Sequence, residues 1–359
     1  PIPHYDIFCT VIDNYGDIAT CWRLALQLNQ RHGIQVRLWV DELSALKQLY
    51  PETNEHLAEQ QLNQIDVRLW STPFPDITPA PVVIEAFACD LPSHFRQAMI
   101  QHKSLCLNLE YFSCEDWVLG CHGLRSFQSD GLHKYFFFPG IVAGTGGVLY
   151  EAHYEQQRLA FSVTGQLDWF ERWQLPRAQA SSVRISLFGY ENKAIVSLLE
   201  QAADYAQPIE FYCPISKVCQ ELAAHFDQWQ LGAGNSYQLG KAWIHFIPFL
   251  PQQEYDRLLW SCDVNFVRGE ESLIRGLLAA KPLVWHIYPT EDGAHWEKLT
   301  AFFAAYDIDE SLRQLNQAWN VQSALQALKP VLTNLTHLEQ QAKQRQQRIL
   351  LLGDLSTNL

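Results

Sequence analysis

Along nearly the whole chain, short runs of β-branched and aromatic residues alternate with segments whose apolar residues recur at helical spacing. A parallel sheet covered by helices on both faces accommodates that order of elements. The sharpest example is Asp6 to Leu28, DIFCTVIDNYGDIATCWRLALQL. Ile7, Phe8, Val11 and Ile12 suit a buried strand, and Ile18, Cys21, Trp22, Ala25 and Leu28 fall on one helical face. The turn between them, DNYGD, has Gly16 as its only glycine and so lacks the G-x-G-x-x-G phosphate fingerprint. It carries carboxylates where a dinucleotide-binding turn carries glycines. Loops at the carboxyl ends of such strands form the ligand crevice, which directs the chemistry of Asp13 and Asp17 there. The same residues also make good turns and helix caps, and both readings hold if one aspartate caps while the other faces the ligand.

The alternation continues with a strand at Gln35 to Val40, a helical segment at Glu42 to Leu62 and a strand at Val67 to Trp70. A loop punctuated by Pro73, Pro75, Pro79 and Pro81 leads to PVVIEAFAC, a buried strand ending near Glu85. A helix at Pro92 to Gln101 and the strand SLCLNLEYF follow. Glu85, Glu110 and Tyr111 stand at strand ends, where they line the crevice or cap the next helix. KYFFFPGIVAGTGGVLYE reads as a loop whose bare backbone admits a ligand, or as an irregular crossing over the core. No Lys or Ser follows its glycines, so it is not a P-loop.

After a helical stretch from His153 to Trp173 and the linker LPRAQASS, a second alternation runs from Val183 to a helix at His295 to Ala305. The expectation is two Rossmann-like domains, 1–178 and 179–334. A Gln-rich C-terminal helix within 335–359, opened by a capping box at Thr336 and Glu339, is expected to complete the first domain. A chain of 359 residues suits two domains of this size.

A net charge of −13 argues against a nucleic-acid partner, which needs clustered Lys and Arg. No signal peptide opens the sequence, and the longest uncharged stretch, Tyr135 to Tyr150, is too broken by Pro139 and four glycines to span a membrane. Nine cysteines without a C-x-x-C pair point to free thiols in a reducing cytoplasm. Cys114, Cys121 and His122 lie close in sequence but lack a fourth ligand, so no metal is expected.

The second functional stretch is DVNFVRGEESLIRGLLAAKPLVWHIYP, from Asp263 to Pro289. A buried strand ends in a tight turn carrying Arg268, Gly269, Glu270 and Glu271, and Ser272 opens a helix. The free N–H groups of that helix suit a diphosphate, Arg268 adds a forked cation, and a neighbouring Glu can accept from sugar hydroxyls. The plainer alternative is a helix start decorated with acids. One such turn in each of two domains describes the GT-B glycosyltransferase plan, two Rossmann-like domains facing across a cleft. No D-x-D metal motif is present.

FCTVIDNYGDIATCWRLALQL, the FPG at Phe138 to Gly140, SLFGYEN at Ser186 to Asn192 and FVRGEESLIRGLLAAKPLVWHIYPTEDGAHWEKL resemble the bacterial protein-arginine rhamnosyltransferases that modify elongation factor P. The resemblance covers nearly the whole chain. It implies an inverting, metal-independent GT-B enzyme without a cofactor that moves rhamnose from dTDP-β-L-rhamnose to an arginine of that factor. It also implies Asp17 as general base, Asp13 as its companion and Glu270 as the donor-site glutamate. Asn14, Tyr15 and Gly16 would border the sugar. Tyr190, Arg268, Gly269, Glu271 and Ser272 would hold the diphosphate, and Phe188, Phe249 and Gln252 the thymine and deoxyribose. His286 and His295 are expected to pack or cap. A GT-B enzyme with another donor or a small acceptor, and a nucleotide-sugar-binding protein without activity, are the alternatives.

Overall fold

The computed structural model describes residues 4–13, 15–161, 163–323 and 326–359. Its contacts divide the chain into two compact units. The first comprises Pro1–Ala152, Thr300–Ala305 and Ile349–Leu359, and the second His153–Leu299 and Tyr306–Arg348.

The first unit holds an eight-stranded sheet: β1 (Tyr5–Cys9), β2 (Val36–Val40), β3 (Glu59–Leu62), β4 (Ile65–Leu69), β5 (Val82–Ala86), β6 (Leu105–Leu109), β7 (Arg125–Ser126) and β8 (Lys134–Phe137). Their order is β3-β4-β2-β1-β5-β6-β8-β7. The inner neighbours pair in parallel, and only the edge pairs β3/β4 and β7/β8 are antiparallel. Phe8, Trp39, Phe74, Val83, Phe95 and Met99 pack into one core on this sheet. At the start of β1, buried Asp6 accepts two hydrogen bonds from the Arg37 guanidinium, at 2.6 and 2.8 Å, and one from Ala80 N–H at 2.9 Å. These bonds compensate the cost of burying the charges.

The second unit holds β9 (Val183–Leu187), β10 (Ile209–Pro214), β11 (Ser236–Leu239), β12 (Ala242–Ile247), β13 (Val264–Arg268) and β14 (Leu283–His286), ordered β11-β12-β10-β9-β13-β14. Only β11 runs antiparallel to its neighbour. Ile185, Leu198, Phe211, Phe246, Phe266 and Trp319 belong to its core.

In both sheets the strand order reverses beside the first strand of the unit. β1 is flanked by β2 and β5, and β9 by β10 and β13. The loops after β1 and β5 therefore leave the sheet in diverging directions, as do those after β9 and β13, and each pair opens a crevice within its own unit.

Several expectations need correction. The segment 42–62 is a short helix, Leu43–Leu49, followed by strand β3. KYFF is a strand, β8, and not part of a loop. The edge strands EQQL, RS and SYQL are short and polar because they need only backbone pairing on one side, so they carry no apolar signature. The units part at Ala152/His153 and not at 178/179. The reason is that Trp169 and Phe170, in the helix Val163–Arg172, pack with Tyr212, Leu250, Leu258 and Cys262 of the second unit. Most of the C-terminal helix also belongs there. Leu338 enters the second core, Lys281 pairs with Glu339 at 2.9 Å, and only Ile349–Leu359 joins the first unit. The helix already runs from Leu335, so Thr336 lies inside it and Glu339 bonds to lysines.

Glu210 of β10 is buried and accepts from His245 Nε2 at 2.7 Å, Gln179 N–H at 2.8 Å and Ser182 Oγ at 2.9 Å. Burial opposes its ionisation, but those hydrogen bonds outweigh burial and hold the carboxyl below the usual glutamate value. A depressed folded-state value means its contribution is present above the unfolded value of about 4.3 and is lost as pH falls through the folded one. In urea titrations from pH 7 to pH 3, Glu210→Gln should therefore lose less stability than the parent.

Candidate active site

In the first unit the site forms around Asp17. The helix Gly16–His32 begins with Tyr15 at its cap position, and no side chain caps it there. Asp17 is one residue inside the helix, 2% exposed, and its Oδ2 accepts the backbone N–H of Ile12 and of Asp13, each at 2.9 Å. Its carboxylate thus ties the preceding loop to the helix. Tyr111 donates to Oδ1 at 3.2 Å. Burial pushes the Asp17 carboxyl above the ordinary aspartate range. The two amides and the Tyr111 hydroxyl oppose this, and the neighbouring charge of Asp13 adds to it. These three hydrogen-bond partners are neutral, and among the described residues no ion pair holds the charge in place.

Asp13 is half-buried, and its carbonyl accepts Gly16 N–H at 2.8 Å. A Cβ at residue 16 would stand 3.1 Å from Asp13 Oδ2, which is why glycine lets that carboxylate lie against the helix start. Tyr15 is half-buried, and Asn14 lies outside the described residues.

Phe87 stacks on Tyr111 with ring centroids 4.4 Å apart and planes inclined by 14°. It follows β5, as Tyr111 follows β6, so the pair stands at the carboxyl ends of neighbouring strands. Phe87 and Ala88 have φ of 57° and 55°, two successive left-handed residues without glycine, a strained backbone of the kind that gathers at functional sites. Glu85, expected as a candidate lining residue, is instead buried and paired with Lys134 at 2.9 Å. The side chain of Asn108 donates to Glu110. His122 accepts Phe138 N–H at Nδ1, 3.0 Å away, and no metal-ligating group forms among the described residues.

In the second unit the site centres on Arg268, the last residue of β13. Its guanidinium carbon lies 4.2 Å from the Phe188 ring centroid and 5.2 Å from that of Tyr190. Its Nη1 donates to Gly189 O at 3.4 Å. Two aromatic faces and one carbonyl thus orient a cation that is 8% exposed. Gly269 turns the chain with φ of 61°, and its carbonyl accepts from Trp285 Nε1 at 2.5 Å. Ser272 closes the same turn: its hydroxyl accepts Arg268 N–H at 3.1 Å and donates to the Arg268 carbonyl. Glu270 takes the cap position of the helix Glu271–Leu278 and pairs with Lys298. Gln252 donates to Glu271 at 3.1 Å.

Phe188 and Phe249 are half-buried, with ring centroids 6.3 Å apart. Tyr255 packs on Phe188 at 5.6 Å. His286 is buried between the rings of Tyr190 and Trp319, and burial, aided by Arg268, holds its imidazole down to about 3. It is neutral at physiological pH. His295 accepts Thr290 N–H at 3.0 Å.

Residues 5–359 match the family model described as elongation factor P (EF-P) rhamnosyltransferase. The chain belongs to this family. A protein-arginine rhamnosyltransferase of Pseudomonas aeruginosa is 44% identical over 331 residues, covering 89% of this chain and 88% of the relative. One of Shewanella oneidensis is 40% identical, covering 99% and 96%. A solved structure concerned with arginine glycosylation of translation elongation factor EF-P superposes with a TM-score of 0.68 at 29% identity, over 98% of this chain and 95% of that one. A Streptomyces sp. SF2575 glycosyltransferase solved with thymidine diphosphate superposes with a TM-score of 0.53 at 9% identity, over 99% and 97%, a likeness of fold. The elongation factor P rhamnosyltransferase fold is thus GT-B, with two parallel-sheet domains.

Within this family fold, the sequence reading of the site residues stands as follows. Asp13, Asp17, Tyr15 and Gly16 come together in the first unit. Phe188, Tyr190, Phe249, Gln252 and the Arg268 to Ser272 turn come together in the second. Sequence reasoning missed Phe87, Tyr255 and Trp285, which look like ordinary core aromatics in the sequence. For Phe87 the available signal was its place just beyond the strand that carries Glu85.

Because burial raises the Asp17 carboxyl, its ionised form costs stability at neutral pH. Asp17→Asn keeps an oxygen for the two amides and should melt no lower than the parent at pH 7 by calorimetry, whereas Asp17→Ala, which orphans both amides, should melt lower.

Proposed function

We propose that the protein is an inverting protein-arginine rhamnosyltransferase. It takes rhamnose from dTDP-β-L-rhamnose and places it on an arginine of elongation factor P in the bacterial cytoplasm, with no metal ion or other cofactor. The observation that carries this reading is Asp17, a buried carboxylate held by neutral partners among the described residues and beside a second carboxylate, in a family whose relatives are protein-arginine rhamnosyltransferases.

The acceptor chemistry follows from the guanidinium. Its nitrogens are poor nucleophiles, and with a pKa of about 13 against about 4 for an aspartate, prior deprotonation would cost on the order of 12 kcal/mol. The proton therefore leaves as the new bond forms. Asp13 and Asp17 grip the guanidinium and aim one nitrogen at the anomeric carbon, and Asp17 takes the proton. A raised Asp17 carboxyl is a better match for that task than an ordinary one, and its neutral partners among the described residues suit an incoming cation.

On the donor side the breaking bond joins the anomeric carbon to the diphosphate, and dTDP departs with the bonding pair. Arg268 and the N-terminus of the helix Glu271–Leu278 meet the growing charge. Phe188 and Phe249 take the thymine, Gln252 the deoxyribose, Tyr190 and Ser272 the surroundings of the diphosphate, and Glu270 the rhamnose hydroxyls. A single in-line displacement inverts the anomeric centre.

Incubating the chain with elongation factor P and dTDP-β-L-rhamnose should add one deoxyhexose to an arginine by mass spectrometry. No gain with this donor, together with a gain from another nucleotide sugar, would reassign the donor. Asp17→Asn should lower turnover at least about 100-fold, the scale of general-base catalysis, with donor affinity kept. The acid limb of the parent's rate profile should have its midpoint above about 4, the ordinary aspartate value. Arg268→Lys loses the fork and the ring stacking, so the donor KM should rise about tenfold.

A further inference from the structure

We infer that Lys298 is a positioning residue of the donor site, which neutralises and aims Glu270 so that a diphosphate can bind beside it. The inference rests on the donor reading above. The backbone around Glu270 is already committed. Gly269 N–H donates to His286 O at 3.1 Å, Trp285 Nε1 to Gly269 O, and the Glu270 carbonyl accepts Ile274 N–H at 3.0 Å as the helix starts. Lys298, in the first turns of the helix Ala294–Tyr306, reaches the Glu270 side chain with its ammonium.

The two side chains are only 20% and 19% exposed, so the pair is largely withdrawn from water and its charges are weakly screened. Two acids, Glu270 and Glu271, stand at a helix start that is otherwise suited to anions. Gln252 donates its amide to Glu271, and the Lys298 ammonium pairs with Glu270. Without the ammonium, the Glu270 carboxylate would repel a diphosphate gripped by Arg268 one turn away and would lose the direction its sugar contact needs.

The test is calorimetric titration of the full chain with dTDP, alongside donor kinetics. Lys298→Met should weaken dTDP about tenfold, which is about 1.4 kcal/mol, and Lys298→Arg, which keeps the charge, should stay within about threefold of the parent. Glu270→Gln should bind dTDP as tightly as the parent or more tightly. In that background Lys298→Met should cost only about twofold, because no carboxylate remains to be neutralised, and this coupling is what a purely structural lysine would not produce. For the full donor, Lys298→Met should raise KM and also lower kcat, with both restored in part by Lys298→Arg.

Unchanged dTDP affinity in Lys298→Met overturns the inference. So does an equal loss in the Glu270→Gln background, which would place the ammonium directly on the diphosphate. If Lys298→Met unfolds before titration, the double variant buries no unpaired carboxylate and carries the comparison against Glu270→Gln. A parent chain that fails to bind dTDP overturns the donor reading itself, and the inference with it.

Discussion

A parallel sheet can present side chains to a ligand only where its strands end, and it can open a gap there only where the order of strands reverses. Both sheets meet that condition beside their first strand, at β1/β5 and at β9/β13. The residues with chemistry to offer follow those strands: Asp13 and Asp17 after β1, Phe87 after β5, Phe188 to Tyr190 after β9, and Gly269 to Ser272 after β13. The remaining elements keep these four strand ends in place. The buried Asp6–Arg37 pair anchors the start of β1, and the Trp285 indole secures the turn after β13.

The two sites treat buried charge in opposite ways. Asp17 accepts from two amides and a phenol, which favour its ionised form, but burial outweighs them and its carboxyl is raised. Arg268 is instead oriented by contacts that include two ring faces and a carbonyl. His286, beside Arg268, is kept neutral and adds no competing charge.

The aspartate turn joins loop order to carboxylate placement, although no side chain caps the helix. Asp17 does structural work by binding the amides of Ile12 and Asp13, yet its other oxygen meets Tyr111, whose ring is fixed by Phe87. Gly16 lets Asp13 approach. Loop order and carboxylate orientation are therefore one arrangement, and a substitution that spares the hydrogen bonds separates the fold from the reaction.

The alternation of buried strands and amphipathic helices was legible in the sequence because period and burial are local properties. For the same reason DNYGD and VRGEES stood out as candidate turns, and the resemblance of these motifs to a known family was readable in advance. Polar edge strands such as EQQL and SYQL were not legible, since they contribute backbone bonds and little apolar surface. Nor were the unit limits, which depend on where Trp169, Phe170 and Leu338 find their cores. The partners of individual site residues were equally hidden. Glu85 and Glu110 look alike at strand ends, but the fold buries the first against Lys134, and Lys298 meets Glu270 across 28 residues of chain. Sequence thus determined which residue types stand at the strand ends, while only the tertiary structure decided which of them share a site, because strand order and burial arise from contacts between segments far apart in the chain.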